Sequence, residues 1–337
     1  MTQGRASRPP LPTRALGSTG LAVTPVGLGL AALGRPAYIT LGRDDDLHFE
    51  RTPDAMERRC HRVLDEAHEA GVRYFDAARS YGLAEAFLAS WLKRRGRSLQ
   101  TLTIGSKWGY TYTGGWQLDA DVHEVKDHSL PTLRRQLAES RDLLGKHLDL
   151  YQIHSATLES GVLEDSRVLS ELVALREDGL LAGLTVSGPR QADVIRRSLE
   201  TEVDGVNPFR SIQATWNVLE PSVGPALEEA HRAGWGVIVK EAVANGRLTR
   251  RGPKREGRVL ERVAAAHAVG SDAVAIAAVM AQPWAHVVLS GAVTADQLRS
   301  NVAAVGVDLS PIDVDTLLAL AEPPELYWKK RSALPWR

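Results

Sequence analysis

Asp76 and Tyr81 stand five positions apart in "YFDAARSYGLAE", residues 74–85, directly after an apolar strand pattern. Further along, Lys107 closes "LTIGSK" (102–107) and His154 closes "LDLYQIH" (148–154). An acid, a phenol, an ammonium and an imidazole together suit one task, placing a proton on a developing alkoxide. A tyrosine with a pKa near ~10 is a poor acid-base group at neutral pH, but a neighbouring ammonium favours its phenolate. Two unit charges ~4 Å apart at an effective dielectric of ~20 attract by roughly 4 kcal/mol, about three pKa units. Buried charges are expensive unless paired, so Asp76 is expected to hold Lys107 charged and oriented. Tyr81 would then give its proton to the oxygen while His154 donates a hydrogen bond to the same atom. That chemistry is carbonyl reduction. The hydride must come from a cofactor, because no side chain supplies one.

These four residues share a rim only if the elements behind them are strands of one sheet. Eight short apolar runs fit that requirement: 23–30, 72–76, 102–107, 148–154, 181–187, 211–216, 235–241 and 286–291. Helical patterns lie between and after them, near 53–70, 83–95, 128–145, 164–178, 191–200, 223–232, 257–281 and 294–304. Strand–helix alternation of this kind predicts a closed parallel (β/α)8 TIM barrel. Ser187 then falls at the end of the fifth strand, Gln213 inside the sixth, and Lys240 with Glu241 on the seventh. "STG" between two short β-like pieces in residues 11–26 predicts an N-terminal hairpin that plugs the bottom. Two loops after strands are long, 31–52 with its acidic "RDDD" and 108–127 with four aromatics. Loops on that side carry the chemistry of a barrel.

Length alone allows one large domain or two, but with no clean boundary, low-complexity tract or short-period repeat a single domain over residues 1–337 is expected, with a core at about 13–305 and an extension at 306–337. Its 41 basic and 41 acidic residues cancel, leaving no global field for nucleic acid or membrane. The basic run at 247–258 has no interleaved aromatics, so it reads as a solvated loop or, placed after the seventh strand, as one that folds across a cofactor's phosphates. Cys60, the single cysteine, cannot form an internal disulfide and reads as a core filler. "MTQGRASRPPLPTRALG" has charge but no apolar leader, and no apolar run approaches the roughly 18–20 residues of a span. A cytoplasmic protein is expected, a monomer or small homo-oligomer, acting on a small carbonyl or alcohol. None of the ten histidines shows convincing metal-ligand spacing.

"YFDAARSYGLAEAFLASWL" resembles the strand-two signature of the aldo-keto reductases, "SKWG" is similar to their lysine strand, and "LDLYQIH" to their histidine strand. "SIQATWN", "VVLSGAVTADQLRSN" and the opening "RALGSTGLAVTPVGLGLAALG" resemble further segments of that family, in chain order from about 13 to 305. The resemblance implies a barrel that uses NADPH or NADH to reduce aldehydes or ketones. It gives Asp76, Tyr81, Lys107 and His154 the catalytic roles, and Ser187, Gln213, Gly291, Gln297 and Asn301 cofactor positions.

The departures from the family pattern carry their own expectations. Gly188 stands where asparagine is usual after the serine, and Lys240 where an aromatic ring often stacks on the nicotinamide. Lys240 is expected to cover the ring with its methylenes or to reach a phosphate or carboxylate. Ser290 and Val293 replace a common proline and a basic or small polar residue. Without a charge at Val293, discrimination between NADPH and NADH is expected to be modest unless Arg247, Arg250 or Arg251 substitutes.

Tyr38, Trp108, Tyr110 and Trp116 are expected to form a substrate-covering loop, with a local hydrophobic cluster of the aromatics at 108–116 as the alternative, and with Arg35 and Arg79 on the same rim. Each residue alone has a plainer explanation. A lone histidine closing an apolar strand is more often a satisfied core residue, and a lone tyrosine an interfacial aromatic. Two rival classes stay open: a lyase or aldolase using Lys107 or Lys240 as a Schiff-base amine, and a cofactor-binding regulatory subunit with little turnover.

Overall fold

The computed structural model describes residues 11–96 and 102–336; residues 1–10, read above for a leader, lie outside them. The chain opens with an antiparallel hairpin, β1 (Arg14–Ala15) and β2 (Ala22–Val23). Its turn holds Gly17 at φ +55, where a Cβ would lie 2.5 Å from the backbone nitrogen of Gly236. Only glycine fits there. Leu16 and Val23 bury completely in one cluster with Tyr74, Leu150, Ile238 and Val287, which closes the amino-terminal mouth of the barrel.

The strands then follow as β3 (Val26–Gly29), β4 (Tyr74–Asp76), β5 (Thr103–Trp108), a second hairpin of β6 (Tyr110–Tyr112) and β7 (Glu124–Lys126), β8 (Leu150–Ala156), β9 (Leu181–Val186), β10 (Phe209–Thr215), β11 (Gly236–Lys240) and β12 (Val287–Ser290). Leaving out the two hairpins, eight parallel strands close into a barrel in chain order, with β12 pairing back onto β3. This is the TIM barrel expected from the eight apolar runs. Register then sets the rim: Asp76 lies opposite Gly105, and Lys107 opposite Gln152.

The covering helices start and stop where local chemistry dictates. Helix Pro53–Glu69 is capped by the Thr52 side chain, which accepts from the Ala55 backbone nitrogen. Helix Leu130–Leu144 is capped by Ser129 and stops at Gly145, φ +55. One expectation fails. The single helix read at 257–281 is two helices, Lys254–His267 and Ser271–Met280, bent by 83°. Ala268 turns left-handed (φ 55) and Gly270 is extended, so the backbone breaks, and Ala268–Gly270 face the cavity above the barrel. Hairpin β6–β7 and helices Arg43–Leu47 and Pro324–Ser332 go beyond the sequence reading. Among the described residues no single helix is long and apolar enough to cross a membrane.

Candidate active site

At the carboxyl ends of β4, β5 and β8, the four expected residues converge. Lys107 and Asp76, 0% and 2% exposed, form a buried ion pair, and Lys107 Nζ also donates to the Ala77 carbonyl at 2.8 Å. The other Asp76 oxygen accepts from Gln213 Nε2 at 3.0 Å and from the Tyr74 hydroxyl at 3.4 Å. Nζ of Lys107 lies 4.9 Å from the centre of the Tyr81 ring, and that ring meets His154 edge-on at 5.3 Å. His154 is fixed from behind. Its Nδ1 shares a 3.2 Å hydrogen bond with Ser80 Oγ, and its carbonyl accepts from His128 Nε2 at 2.9 Å.

The electrostatics correct one sequence expectation. Burial, reinforced by the Asp76 carboxylate, raises the Tyr81 phenol well above its ordinary pKa instead of lowering it. Lys107 lies against the ring with donors directed to Asp76 and Ala77, so its charge is largely answered before it reaches the hydroxyl. Burial also lowers the Lys107 ammonium, opposed by Asp76. Burial, then Lys107 and Arg35, hold His154 well below the ordinary histidine value. At neutral pH the site presents a protonated phenol and a neutral imidazole.

Above them lies a cavity of about 1000 Å³, at the upper end of the roughly 300–1,000 Å³ usual for ligand sites. It runs from Tyr81 and His154 past Ser187, Gln213 and Lys240 to Gly291, Gln297 and Asn301. Lys240 Nζ donates to Ser187 Oγ at 2.8 Å and to Thr215 Oγ1 at 2.7 Å. Burial, opposed by Glu241, brings its pKa down to about 8. Asn301 bonds Ser290 at 2.8 Å. Gln297 accepts from the Val293 backbone nitrogen at 2.9 Å and donates to Asp46 at 2.8 Å.

The loop after β3 forms the roof. Buried Arg43 holds it from within by donating to the Ala32 and Arg35 carbonyls at 2.6 and 2.5 Å. Asp46 at its tip takes both Arg251 nitrogens at 2.6 Å, which joins it to the loop after β11. Asn245 adds a bond to the Ile39 carbonyl at 2.8 Å.

The remaining expectations divide. Tyr38 and Tyr110 line the cavity, whereas Trp108 is fully buried beside His128, and Trp116 packs on Phe87 and donates to the Arg51 carbonyl at 2.5 Å. Neither tryptophan lines the cavity: Trp108 ends barrel strand β5 beside Lys107 and takes the opposite face, and Trp116 lies in the segment that joins β6 to β7. Arg79 is occupied by Glu85 at 2.5 Å and Glu139 at 2.8 Å, and Arg247 by Glu322 at 2.7 Å. Both arginines also lie outside the cavity wall. Asp46, Ser80, Glu124, Lys126, Arg331 and Trp336 were not singled out, yet all but Ser80 line the cavity. Arg331 grips Glu241 through two nitrogens at 2.5–3.0 Å. Burial pushes Glu241 up, but Arg331 and Lys240 outweigh it and hold the carboxylate down to about 2. The clue in the sequence was a tail rich in tryptophan and basic residues.

A closed barrel with its ionisable cluster at the carboxyl rim is here the scaffold of an oxidoreductase, since the sequence profile of the Aldo/keto reductase family matches residues 26–322. The chain belongs to the aldo/keto reductase family. It is 26% identical to aldo-keto reductase str7 of Strobilurus tenacellus, over 94% of each chain. It is 24% identical to the NADH-specific methylglyoxal reductase of Escherichia coli, over 92% of this chain and 98% of that one. Its fold matches the holo form of an aldo-keto reductase from Bacillus halodurans with a TM-score of 0.68 at 24% identity, over 93% of this chain and 97% of that one.

Proposed function

We propose that the protein reduces an aldehyde or ketone to an alcohol with NADH, Tyr81 delivering the proton. The observation that carries this reading is the buried cluster of Asp76, Tyr81, Lys107 and His154 at one end of a long cavity. When bound, the nicotinamide dinucleotide supplies the hydride. The chain's own residues do the rest. Tyr81 stays protonated until charge builds on the carbonyl oxygen, then donates its proton. If the Ser80 hydroxyl donates to His154 Nδ1, the neutral imidazole carries its hydrogen on Nε2 and donates it to the same oxygen. Lys107 repays the proton loss by lying against the forming phenolate, and Asp76 keeps that ammonium in place. Ser80 is therefore a positioning residue.

The donor set fits a dinucleotide. Ser187, Gln213 and Lys240 bring hydroxyl, amide and ammonium groups to mid-cavity, and helix Ala295–Ala303 offers its amino-terminal end at the far wall. That far wall carries three carboxylates, Asp46, Asp272 and Asp296, with Arg250, exposed, and Arg251 beside them. Arg251 is already paired there with Asp46, and Val293 offers no charge. Carboxylates suit ribose hydroxyls and repel a 2′-phosphate, as acidic residues do at other dinucleotide sites. The NADH specificity named for the Escherichia coli relative supports the same choice.

A panel of carbonyl compounds run with NADH and NADPH in parallel tests the proposal. Turnover with higher kcat/KM for NADH is expected. An NADPH preference would overturn the cofactor assignment. Absence of turnover combined with borohydride trapping at Lys107 or Lys240 would favour a Schiff-base enzyme instead.

A further inference from the structure

We propose that the catalytic end of the cavity is built for a carbonyl compound bearing a carboxylate, and that Lys126 holds that anionic group. The inference rests on the reductase reading above and deepens it by naming the substrate class.

Lys126 ends β7 and lines the cavity, half buried. Its ammonium lies 5.7 Å from the Tyr110 ring centre, and that ring lies 5.0 Å from His154. Among the described residues its Nζ donates one hydrogen bond, to Thr157 Oγ1 at 3.5 Å. Among the described residues no carboxylate pairs with it. The nearest candidates are engaged elsewhere: Glu124 takes Arg35 at 2.9 Å, and exposed Glu159 takes Arg190 at 3.0 Å. A half-buried ammonium with no carboxylate in contact is costly, and burial lowers its pKa, opposed only through space by exposed Glu159. An incoming carboxylate would remove that cost.

The wall beside it is shaped by a strained backbone. Immediately after His154, Ser155 adopts φ +49, and the pairing of β8 with β9 slips between Ile153 and Ala156. A left-handed serine at a bulge is held only because its surroundings over-determine it, and such strain concentrates at ligand sites. Here the Ser155 nitrogen is anchored to Thr185 Oγ1 at 2.7 Å. The kink puts Ser155 and Thr157 on the cavity wall with Lys126. Hydroxyls flanking an ammonium suit a carboxylate placed a few bonds from the carbonyl that Tyr81 protonates. Arg35 is less available. Its guanidinium packs over the rings of Tyr38, Tyr81 and Trp336 at 5.2, 5.2 and 4.9 Å and already pairs with Glu124.

Succinic semialdehyde and isocaproaldehyde test this as a matched pair, because the second carries two methyl groups where the first has carboxylate oxygens. With NADH, the full-length protein should favour succinic semialdehyde through a lower KM. Lys126→Met should collapse the ratio of the two kcat/KM values by about 10- to 100-fold, the range of a hydrogen bond to a charged group. Lys126→Arg should keep most of the preference. Succinate binding, read by tryptophan fluorescence, should weaken by at least about tenfold in Lys126→Met. An unchanged ratio in Lys126→Met, or no wild-type preference, overturns the carboxylate site while isocaproaldehyde turnover leaves the reductase intact. If wild type turns over neither aldehyde, the reductase reading falls, and equal succinate affinity in wild type and Lys126→Met would still overturn the carboxylate site.

Discussion

The two ends of the cavity are built on opposite electrostatic plans. At the catalytic end the charges are cationic in excess and bedded in aromatics: Arg35, Lys126, Lys240 and Arg331 against Asp76, Glu124 and Glu241, with Tyr38, Tyr110 and Trp336 around them. At the far end the excess is acidic: Asp46, Asp272 and Asp296 face the cavity against Arg250 and Arg251, and Arg251 is tied to Asp46 by two 2.6 Å bonds. The catalytic end rests on rigid strand termini. The far end depends on a roof stitched between two loops. On the function proposed above, one end holds charge still while a proton moves, and the other receives the dinucleotide beneath the joined loops.

The largest expected effect comes from the catalytic end. Lys107→Met strands the Asp76 carboxylate, held otherwise by only two neutral donors, and should cost ~3–5 kcal/mol of stability, as removing half of a buried pair does. Turnover should fall together with it. Chemical denaturation and kcat on the same preparations check both, and a variant as stable as wild type would show that the pair is not the anchor described here. At the far end, Asp46→Ser frees Arg251 and Gln297. The kcat/KM ratio of NADPH to NADH should rise by about tenfold, 1.4 kcal/mol, and cofactor release should quicken in stopped-flow fluorescence. An unchanged ratio would mean that the acidic wall does not read the ribose.

The remaining effect is acid sensitivity, to which the histidine-bearing end contributes through His128. Burial lowers His128 to about 4, with Lys126 adding to the shift and the His154 carbonyl opposing it. The unfolded chain therefore binds a proton at His128 before the folded one does. Stability should fall as pH drops from the ordinary histidine value near ~6.5 toward 4. His128→Gln, which can keep a donor toward the His154 carbonyl, should flatten part of that decline in melting temperatures taken across the interval. A steeper decline would reverse the sign argued here.

How much of this was legible in the sequence follows the same division. The catalytic end was readable because Asp76, Lys107 and His154 sit at strand ends, where a short apolar run announces both strand and rim. The acidic "RDDD" was visible, but nothing local tied Asp46 to Arg251 and Gln297, 205 and 251 residues away. Trp108 and Trp116 were misassigned because an aromatic-rich loop has no period to say which rings turn inward. Strand β5 runs one residue further than the reading gave it and takes in Trp108, and hairpin β6–β7 sets the place of Trp116; short strands inside a long loop leave little pattern. The break at Ala268 escaped because alanine is a good helix former, and tertiary context overrode its propensity. The direction of the Tyr81 shift failed for a different reason. A sequence pairs charges but does not show how deeply a phenol is buried.

The central claim is that Tyr81 donates the proton. Tyr81→Phe keeps the ring that packs on His154 and covers Lys107, and removes only the hydroxyl. The decisive measurement is single-turnover NADH oxidation by wild type and Tyr81→Phe with an aldehyde from the panel, alongside NADH affinity by fluorescence. Hydride transfer is predicted to slow by about 10²–10⁴, the usual worth of a positioned acid, with NADH affinity and melting temperature kept. A Tyr81→Phe enzyme that transfers hydride at the wild-type rate, with that step shown to be rate-limiting, would contradict the mechanism.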